Sequence, residues 1–154
     1  MKKSPEARIH VSVRKQWLTL KSGRKKLAEY PVSTSRFGLG SKGGSFKTPT
    51  GKFRVAEKIG EGMPVGTVFK SRRPVKATKK ALREEDLVMT RILWLDGLER
   101  RNANTHDRYI YIHGTNHEEK IGLPDSHGCI RMKNADLVEL FERVPEGTAV
   151  EIRP

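Results

Sequence analysis

Apolar and polar residues alternate over short segments along most of this chain, a period of two that is typical of β-strands with one buried face. The early alternation is interrupted at 21–24, Lys-Ser-Gly-Arg, where the composition indicates a turn. The segments predicted as strands are 9–13, 17–20, 27–32, 51–57, 87–95, 109–112 and 149–152. The pattern therefore predicts a mainly β fold that begins as a meander of hairpins.

One segment, from about Asn134 to Val144, carries apolar residues at helical spacing instead. Asn134 is suited to cap the N-terminus of this helix, and Pro145-Glu146-Gly147 ends it. Its predicted apolar face consists of Leu137, Val138, Leu140, Phe141 and Val144. The sequence therefore predicts one amphipathic helix close to the C-terminal end.

Length and composition fit a single compact domain. The chain has 154 residues, of which 35% are hydrophobic, and this leaves little room for a second core. Glycine-rich stretches at 37–45 and 59–66 indicate surface loops, and 72–86 is predicted to be a charged connection that is partly helical. Without an internal repeat or a low-complexity linker, the sequence predicts one domain over 1–154, with its core at about 9–152.

Basic residues outnumber acidic ones, 31 Lys and Arg against 18 Asp and Glu, and give a formal net charge of +13. Such a charge attracts any polyanion, whether nucleic acid, an anionic lipid surface or a cell-wall polymer. The basic residues are spread along the chain, densest at 70–83, without the aromatic signature of RNA-binding modules or the spacing of zinc fingers. A basic module that binds nucleic acid or a surface is therefore a distant alternative, and no nucleic acid is expected as a partner.

The N-terminal residues 1–8 are basic, but no apolar stretch of signal-peptide length follows them. No later segment approaches the roughly 18 apolar residues of a membrane span. If Met1 is the native start, the sequence predicts a cytoplasmic protein without a membrane span. If the natural chain is longer, a periplasmic or cell-wall location is the alternative.

Cys129 is the only cysteine, which excludes an intramolecular disulfide and a metal site built on several thiolates. A thiol becomes a strong nucleophile as thiolate, so a catalytic cysteine needs a nearby imidazole or other positive group. His127 lies two positions before Cys129, and His113, at the end of a predicted strand, would have to reach it through the fold. Gly128 permits a tight turn that could direct the neighbouring amides at an oxyanion.

Simpler interpretations of these residues compete with the catalytic one. A single cysteine is more often a small buried hydrophobe, and a histidine at a strand end is more often an ordinary hydrogen-bonded residue. His113 and His117 also imitate paired metal ligands, but Gly114 and the preceding strand argue against the helix that this spacing normally needs. The residues alone therefore leave the role of Cys129 open and predict no metal and no cofactor.

Two motifs resemble those of a known family. Ser126-His127-Gly128-Cys129, preceded by His113-Gly114-Thr115, resembles the signature of the L,D-transpeptidase catalytic domain, also called the YkuD domain. The segment 44–53, which contains Thr-Pro-Thr-Gly-Lys-Phe, is similar to the Thr-Pro-x-Gly-x-Phe element of that family. The resemblance extends from about Ile9 to Ile152 and implies a β-sandwich with one helix after the catalytic loop.

The resemblance also implies roles for individual residues. Cys129 takes the position of the nucleophile and His113 that of the general base, with the carbonyl of Gly114 orienting the imidazole. The amides of Gly128 and Cys129 match the oxyanion hole. His127 corresponds to a histidine close to the nucleophile, whose role is secondary.

Arg131 stands two positions after the cysteine, where some members of the family carry asparagine. Its guanidinium would either hold a substrate carboxylate by a two-pronged contact or brace the loop against an acidic neighbour. Ser126 is grouped with Arg131 as a predicted substrate contact. Pro49 and Gly51 are expected to form a rigid turn beside the cleft.

The substrate that the resemblance implies is the stem peptide of peptidoglycan. The cysteine would attack the carbonyl of the third residue, usually meso-diaminopimelate, and expel the terminal D-alanine. Water as acceptor gives a tripeptide, and an amine gives a 3-3 cross-link, an attached protein or an exchanged D-amino acid. Because neither a leader nor a wall-binding segment precedes the motifs, we expect an L,D-carboxypeptidase that trims muropeptides during recycling, with transpeptidation as the alternative.

Overall fold

The computed structural model describes residues 7–154. Residues 1–6, which make up most of the basic segment on which the leader prediction depends, lie outside the described residues. Within 7–154, no helix combines the length and the apolar character needed to cross a bilayer.

Strands dominate the described part of the chain. The strands are β1 (Ala7–Ser12), β2 (Trp17–Ser22), β3 (Lys25–Ser33), β4 (Gly51–Ile59), β5 (Val68–Lys70), β6 (Arg73–Val75), β7 (Val88–Gly97), β8 (Tyr111–Gly114), β9 (Ile130–Met132) and β10 (Ala149–Arg153). The α-helices are α1 (Lys79–Glu84) and α2 (Asn134–Arg143), and short 3-10 turns occupy Arg100–Asn102 and Glu118–Lys120. The predicted mainly β fold, with a helix after the catalytic loop, is confirmed.

All strands belong to one sheet, in the order β4-β10-β1-β2-β3-β9-β8-β7-β5-β6, and an additional pairing of β4 with β7 closes it into a ring. The β5–β6 hairpin extends from β7 outside this ring. Most neighbouring strands are antiparallel, but β1 pairs with β10 and β8 pairs with β9 in parallel. The parallel pair β8–β9 brings the two sequence motifs side by side.

The interior follows the alternation of the strands. In β1, Ile9 and Val11 are fully buried, whereas Arg8 and His10 point away from the core. Leu140 and its apolar neighbours on α2 complete this main core. A second cluster, made of Phe69, Ile92, Trp94 and Tyr111, lies on the other face of β7 and β8. Both faces of β7 are therefore covered, and Cys129 packs against the second cluster.

The strands differ from the expectations in two respects. β5, β6 and β9 are each three residues long, too short to show a period in the sequence. β8 begins at Tyr111 instead of Tyr109, and Tyr109 has a φ of +56°, which lies outside the extended region.

The prediction that Asn134 caps α2 is wrong. Lys133 occupies the cap position, without a side-chain cap, and Asn134 is the first helical residue. Its side-chain amide instead donates to the carbonyl of Thr115 at 2.8 Å and accepts from the Thr90 hydroxyl at 2.6 Å. Asn134 therefore ties the start of α2 to the ends of β7 and β8, where its polar atoms find partners in place of the helix amides.

Candidate active site

Cys129 lies immediately before β9 and beside β8. The parallel pairing of Ile112 with Ile130 places Cys129 next to Tyr111. The thiol accepts a hydrogen bond from the Tyr111 amide at 3.3 Å and donates one to the carbonyl of Tyr109 at 3.3 Å. The cysteine also packs, partly buried, against the second apolar cluster.

The environment of the Cys129 thiol disfavours its ionised form. Burial raises the pKa of the thiol to about 12, and the negative charge of Asp86 acts in the same direction. The Tyr111 amide and the charges of Arg108 and Arg131 lower this pKa, but less than burial raises it. The resting thiol is therefore protonated at neutral pH, and its proton has to leave before or during an attack.

His113 is buried on β8, with 3% of its surface exposed. Its Nδ1 lies 2.5 Å from the carbonyl oxygen of Gly114. Burial lowers the pKa of His113, although the bond to Gly114 and the charge of Asp86 partly oppose this. Because a carbonyl can only accept, the neutral imidazole carries its proton on Nδ1 and keeps a lone pair on Nε2.

His113 and Cys129 are diagonal neighbours on one face of the β8–β9 pair. Ile112 and Ile130 point into the main core, so His113 and Cys129, each one residue away from them, point to the opposite face. Among the described residues, the hydrogen bonds of the thiol go to Tyr109 and Tyr111, and none goes to His113. The structure thus places the two predicted residues together but leaves their contact unformed.

Gly114, next to His113, occupies a position with no room for a side chain. A Cβ added there would overlap the Oδ1 atom of Asn134 and lie 2.7 Å from the carbonyl oxygen of Met89. The carbonyl that holds the His113 ring therefore belongs to a residue that is itself fixed between α2 and β7.

Ser126 closes the turn that precedes Cys129. Its hydroxyl donates to the carbonyl of Cys129 at 2.6 Å and accepts from the amide of Gly128 at 3.3 Å. Gly128 has a φ of +122°, which favours glycine. Ser126 is 1% exposed, and this placement favours a role inside the loop over the predicted contact with substrate. Of the two amides expected at the oxyanion, that of Gly128 is already engaged.

The Thr-Pro element supports the same turn from the other side. The buried hydroxyl of Thr48 donates to the carbonyl of Gly128 at 2.9 Å and accepts from the amide of Ser35 at 3.0 Å. Gly51 has a φ of +110°, and a Cβ there would overlap the carboxylate of Glu99. Gly51 is the first residue of β4, and no turn is assigned at 49–51. The element contains an anchoring residue, Thr48, for which no role was predicted.

Arg131 is 1% exposed and surrounded by acidic partners. Its Nη1 donates to Asp86 at 3.0 Å, and its Nη2 donates to Asp125 and, at 3.4 Å, to Ser33. Burial opposes ionisation of Asp125, but the hydrogen bond and the charge of Arg131 hold the pKa of Asp125 below its ordinary value. Of the two predicted roles of Arg131, this geometry favours bracing of the loop.

His127 points to the outer side of the loop. Its Nδ1 lies 3.2 Å from the second oxygen of Asp86, and its ring packs against Phe37 and Phe46 with centroid distances of 5.8 and 5.7 Å. Asp86 therefore joins His127 to Arg131 and influences both His113 and Cys129 electrostatically. Nothing in the spacing of the sequence identified Asp86, because it ends a connection far from both motifs.

The histidine pair that imitates metal ligands is not assembled as one. His117 directs its Nε2 at the carbonyl of Glu85, 2.9 Å away, while His113 contacts Gly114. In residues 7–154, no group of three or more His, Cys, Asp or Glu side chains is arranged to hold a metal ion.

Comparison with known proteins supplies the family. A family model described as the L,D-transpeptidase catalytic domain, YkuD, matches residues 6–152. The chain belongs to the L,D-transpeptidase family. This family is a cysteine-dependent class of enzymes that act on peptidoglycan stem peptides.

Several relatives carry the same family name. The putative L,D-transpeptidase YkuD of Bacillus subtilis (strain 168) is 28% identical over 145 residues, which cover 94% of this chain and 64% of that protein. The probable L,D-transpeptidase YbiS of Escherichia coli (strain K12) is 54% identical over 44 residues, 29% of this chain and 14% of that protein. The chain thus spans less than two thirds of the length of these relatives.

Solved L,D-transpeptidases share the fold. An L,D-transpeptidase from Mycobacterium smegmatis superposes with a TM-score of 0.63 at 18% identity, over 97% of this chain and 59% of that one. L,D-transpeptidase 3 from Mycobacterium tuberculosis, in complex with a faropenem-derived adduct, gives a TM-score of 0.65 at 16% identity, over 98% and 61% of the two chains.

In this L,D-transpeptidase domain, an aromatic wall of Trp94, Tyr109 and Tyr111 adjoins the thiol. The ring centroid of Trp94 lies 5.8 Å from that of Tyr109 and, edge to face, 5.6 Å from that of Tyr111. His106 stacks on Trp94 at 3.8 Å, nearly parallel. The sequence predicted one strand for both tyrosines, directly before His113. In the structure, Tyr109 has a left-handed conformation, and its carbonyl accepts the hydrogen bond of the Cys129 thiol.

Proposed function

We propose that this chain is a peptidoglycan acyl-transfer enzyme that cleaves the bond between the third residue and the terminal D-alanine of a stem peptide. Cys129 is the nucleophile and His113 the base, and residues 9–152 act as one catalytic domain. The observation that carries the proposal is the buried His113 imidazole, whose proton is held on Nδ1 by Gly114 and whose Nε2 shares a face with the thiol.

The first half of the proposed reaction begins from a neutral pair. The thiol turns from the Tyr109 carbonyl towards His113, whose Nε2 takes its proton as sulfur attacks the carbonyl carbon of the third residue. The amide of Cys129 stabilises the oxyanion. Collapse of this intermediate breaks the peptide bond, and the leaving amine of D-alanine takes the proton from His113, which leaves a thioester on Cys129.

The second half transfers the acyl group to an acceptor, and we favour water. His113 removes a proton from water as it attacks the thioester, and the departing thiolate is protonated in turn. An amine acceptor approaches as an ammonium ion, which the net charge of +13 and the nearby guanidinium of Arg108 disfavour. Transpeptidation or exchange with a D-amino acid is the second candidate, since an amine attacks the same thioester.

We assign the remaining predicted residues to positioning. Arg131 and Ser126 hold the loop around Cys129, since both are buried and bonded within it. His127 is placed by Asp86 at the solvent side of the loop and has a secondary role.

Incubation of the protein with a disaccharide tetrapeptide tests the proposal. We expect release of D-alanine and a tripeptide product by mass spectrometry, and neither with Cys129→Ala. Addition of a free D-amino acid reports exchange, and a dimer of stem peptides reports cross-linking. A carbapenem should leave a covalent adduct on Cys129. Unchanged D-alanine release by Cys129→Ala would overturn the proposal.

A further inference from the structure

The turn of the β5–β6 hairpin holds an arginine in an unusual backbone conformation. Ser71 and Arg72 have φ values of +49° and +64°, a left-handed pair that hairpins normally build from asparagine and glycine. Neither residue offers that freedom, so the turn adopts a conformation that ordinary side chains avoid. It projects Arg72 over the aromatic wall next to the thiol.

Contacts on one face and one edge fix the Arg72 guanidinium. Its Nη1 donates to the hydroxyl of Tyr111 at 3.3 Å. Its central carbon lies 4.8 Å from the ring centroid of Trp94 and 5.2 Å from that of Tyr109. Such stacking orients the planar group while leaving other N–H donors directed outwards.

The charge of Glu57 acts on Arg72, but the two side chains are not close enough to form an ion pair. None of the ion pairs formed within the described part of the chain includes Arg72. Arg131, by contrast, is paired with two carboxylates and has almost no exposed surface. Arg108 is also near the thiol and forms no ion pair in the described residues, but its N–H groups already donate to two backbone carbonyls. Arg72 therefore has donors left for an external carboxylate.

Tyr111 contacts both the thiol and Arg72. The amide of Tyr111 is 3.3 Å from the sulfur of Cys129, and the hydroxyl of the same tyrosine is 3.3 Å from Arg72. In the proposed substrate, the carboxylate of D-alanine is one residue away from the scissile carbonyl, and adjacent Cα atoms are about 3.8 Å apart. This carboxylate is therefore a charged group of the substrate that lies next to the scissile bond, on the side of the leaving residue.

We propose that Arg72, supported by Trp94, Tyr109 and Tyr111, forms a subsite for the free α-carboxylate of the D-amino acid next to the scissile bond. The inference rests on the proposed function. In cleavage, this carboxylate belongs to the leaving D-alanine. In exchange, it belongs to the incoming D-amino acid, which by microscopic reversibility occupies the same place.

Binding can be measured without turnover, in Cys129→Ala protein titrated with N-acetyl-D-alanine or with its neutral amide. The chain has two tryptophans, so the indole N–H signals of Trp94 and Trp17 serve as reporter and internal control. We expect the acid, but not the amide, to shift the Trp94 signal. Arg72→Met should raise Kd by about tenfold or more, because a charge-assisted hydrogen bond is lost.

Arg73→Met is the matched control, since Arg73 is the exposed neighbour on β6 and lacks these contacts. It should leave Kd unchanged, and Arg72→Lys, with a charge but no planar fork, should be intermediate. The subsite is refuted if the acid fails to move the Trp94 signal of the Arg72-containing protein, or if Arg73→Met weakens binding as much as Arg72→Met. The comparison of N-acetyl-D-alanine with its amide uses protein that retains Arg72. It therefore tests the subsite even if a variant at position 72 misfolds.

Kinetics separate this inference from the proposed function. With active protein, Arg72→Met should lower kcat/KM for a tetrapeptide that ends in a carboxylate and for exchange with free D-alanine. It should change kcat/KM little for a tetrapeptide that ends in an amide. Equal losses for both donors would mean a merely structural role for Arg72 and overturn the inference. If the Arg72-containing enzyme releases no D-alanine at all, the proposed function fails, and the titration still decides whether the subsite exists.

Discussion

At the scale of single residues, the proton on the Cys129 thiol determines how the proposed reaction responds to pH. Burial raises the thiol pKa to about 12 and lowers that of His113 below 6.5. A lowered histidine pKa keeps the imidazole neutral, and able to accept a proton, to lower pH than usual. We expect kcat/KM for D-alanine release to fall only below pH 6.5 and to stay flat through the usual thiol pKa of about 8.5. A rise centred near that value would instead indicate a thiolate formed before substrate binds.

His113 and His127 differ in burial, and we expect their substitution to affect the rate of Cys129 acylation to different degrees. His113→Gln removes the base, and the rate of Cys129 acylation by a carbapenem should fall by about 10² to 10⁴. His127→Gln removes a half-exposed ring bonded to Asp86 and should cost much less. Stopped-flow measurement of acylation compares them directly. The opposite order would assign the base to His127.

At the scale of the elements, Arg131 joins β9 to the segment before β7 and to the loop before Cys129 through Asp86 and Asp125. Arg131→Met leaves those carboxylates without their cation, and we expect a loss of about 3 to 5 kcal/mol in the free energy of unfolding. Urea denaturation measures this loss. Arg36→Met is the control, because the hydrogen bond of the exposed Arg36 guanidinium goes to the carbonyl of Asp125 and not to its carboxylate. A stable Arg131→Met protein with a raised KM would support the substrate-binding role instead.

Thr48 anchors the turn before Cys129 to the Thr-Pro element. Thr48→Val keeps the shape but leaves the carbonyl of Gly128 and the amide of Ser35 without their partner. We expect a loss of stability of about 1 to 3 kcal/mol, together with slower acylation of Cys129. Thr50→Val, two positions along the same element, keeps both hydrogen bonds and serves as the control. Thermal unfolding and carbapenem acylation report the two effects, and a Thr48→Val protein equal to the control would contradict the anchoring role.

At this scale, the sequence could predict the positions of strands and helices, because these depend on the local pattern of apolar and polar residues. Alternation located β1, and the helical spacing of Leu137 and Leu140 located α2. The role of Asn134 was misassigned because its partners, Thr90 and Thr115, are distant in sequence and meet it only in the fold.

The same limit applies to the site. The motifs identify Cys129 and His113 as candidates, but Asp86 and Arg72 lie in a charged connection whose composition indicates only solvent exposure. Their importance comes from the path of the chain, which carries Arg72 over Trp94 and brings Asp86 between the loop before Cys129 and β9. Tertiary partners of this kind have no local signal that a single sequence could reveal.

At the scale of the whole molecule, the net charge of +13 should act on the encounter with anionic muropeptides more than on the chemistry. The Debye length falls from about 30 Å at 0.01 M to about 8 Å at 0.15 M ionic strength. We therefore expect kcat/KM for an anionic donor to decrease over this range while kcat stays constant. A neutral, amidated donor is the control and should respond less. A flat salt profile for the anionic donor would show that long-range attraction contributes nothing.

The parallel pairing of β1 with β10 gives the domain a mechanical property. β1 is the first and β10 the last strand of the described chain, and five residue pairs align them from Arg8 with Ala149 to Ser12 with Arg153. Because the strands run in the same direction, tension applied between residue 7 and residue 153 slides one along the other and loads the hydrogen bonds of the ladder together. An antiparallel pair of terminal strands would open one bond at a time under the same pull. This shear geometry makes the β1–β10 ladder resist mechanical extension of the domain.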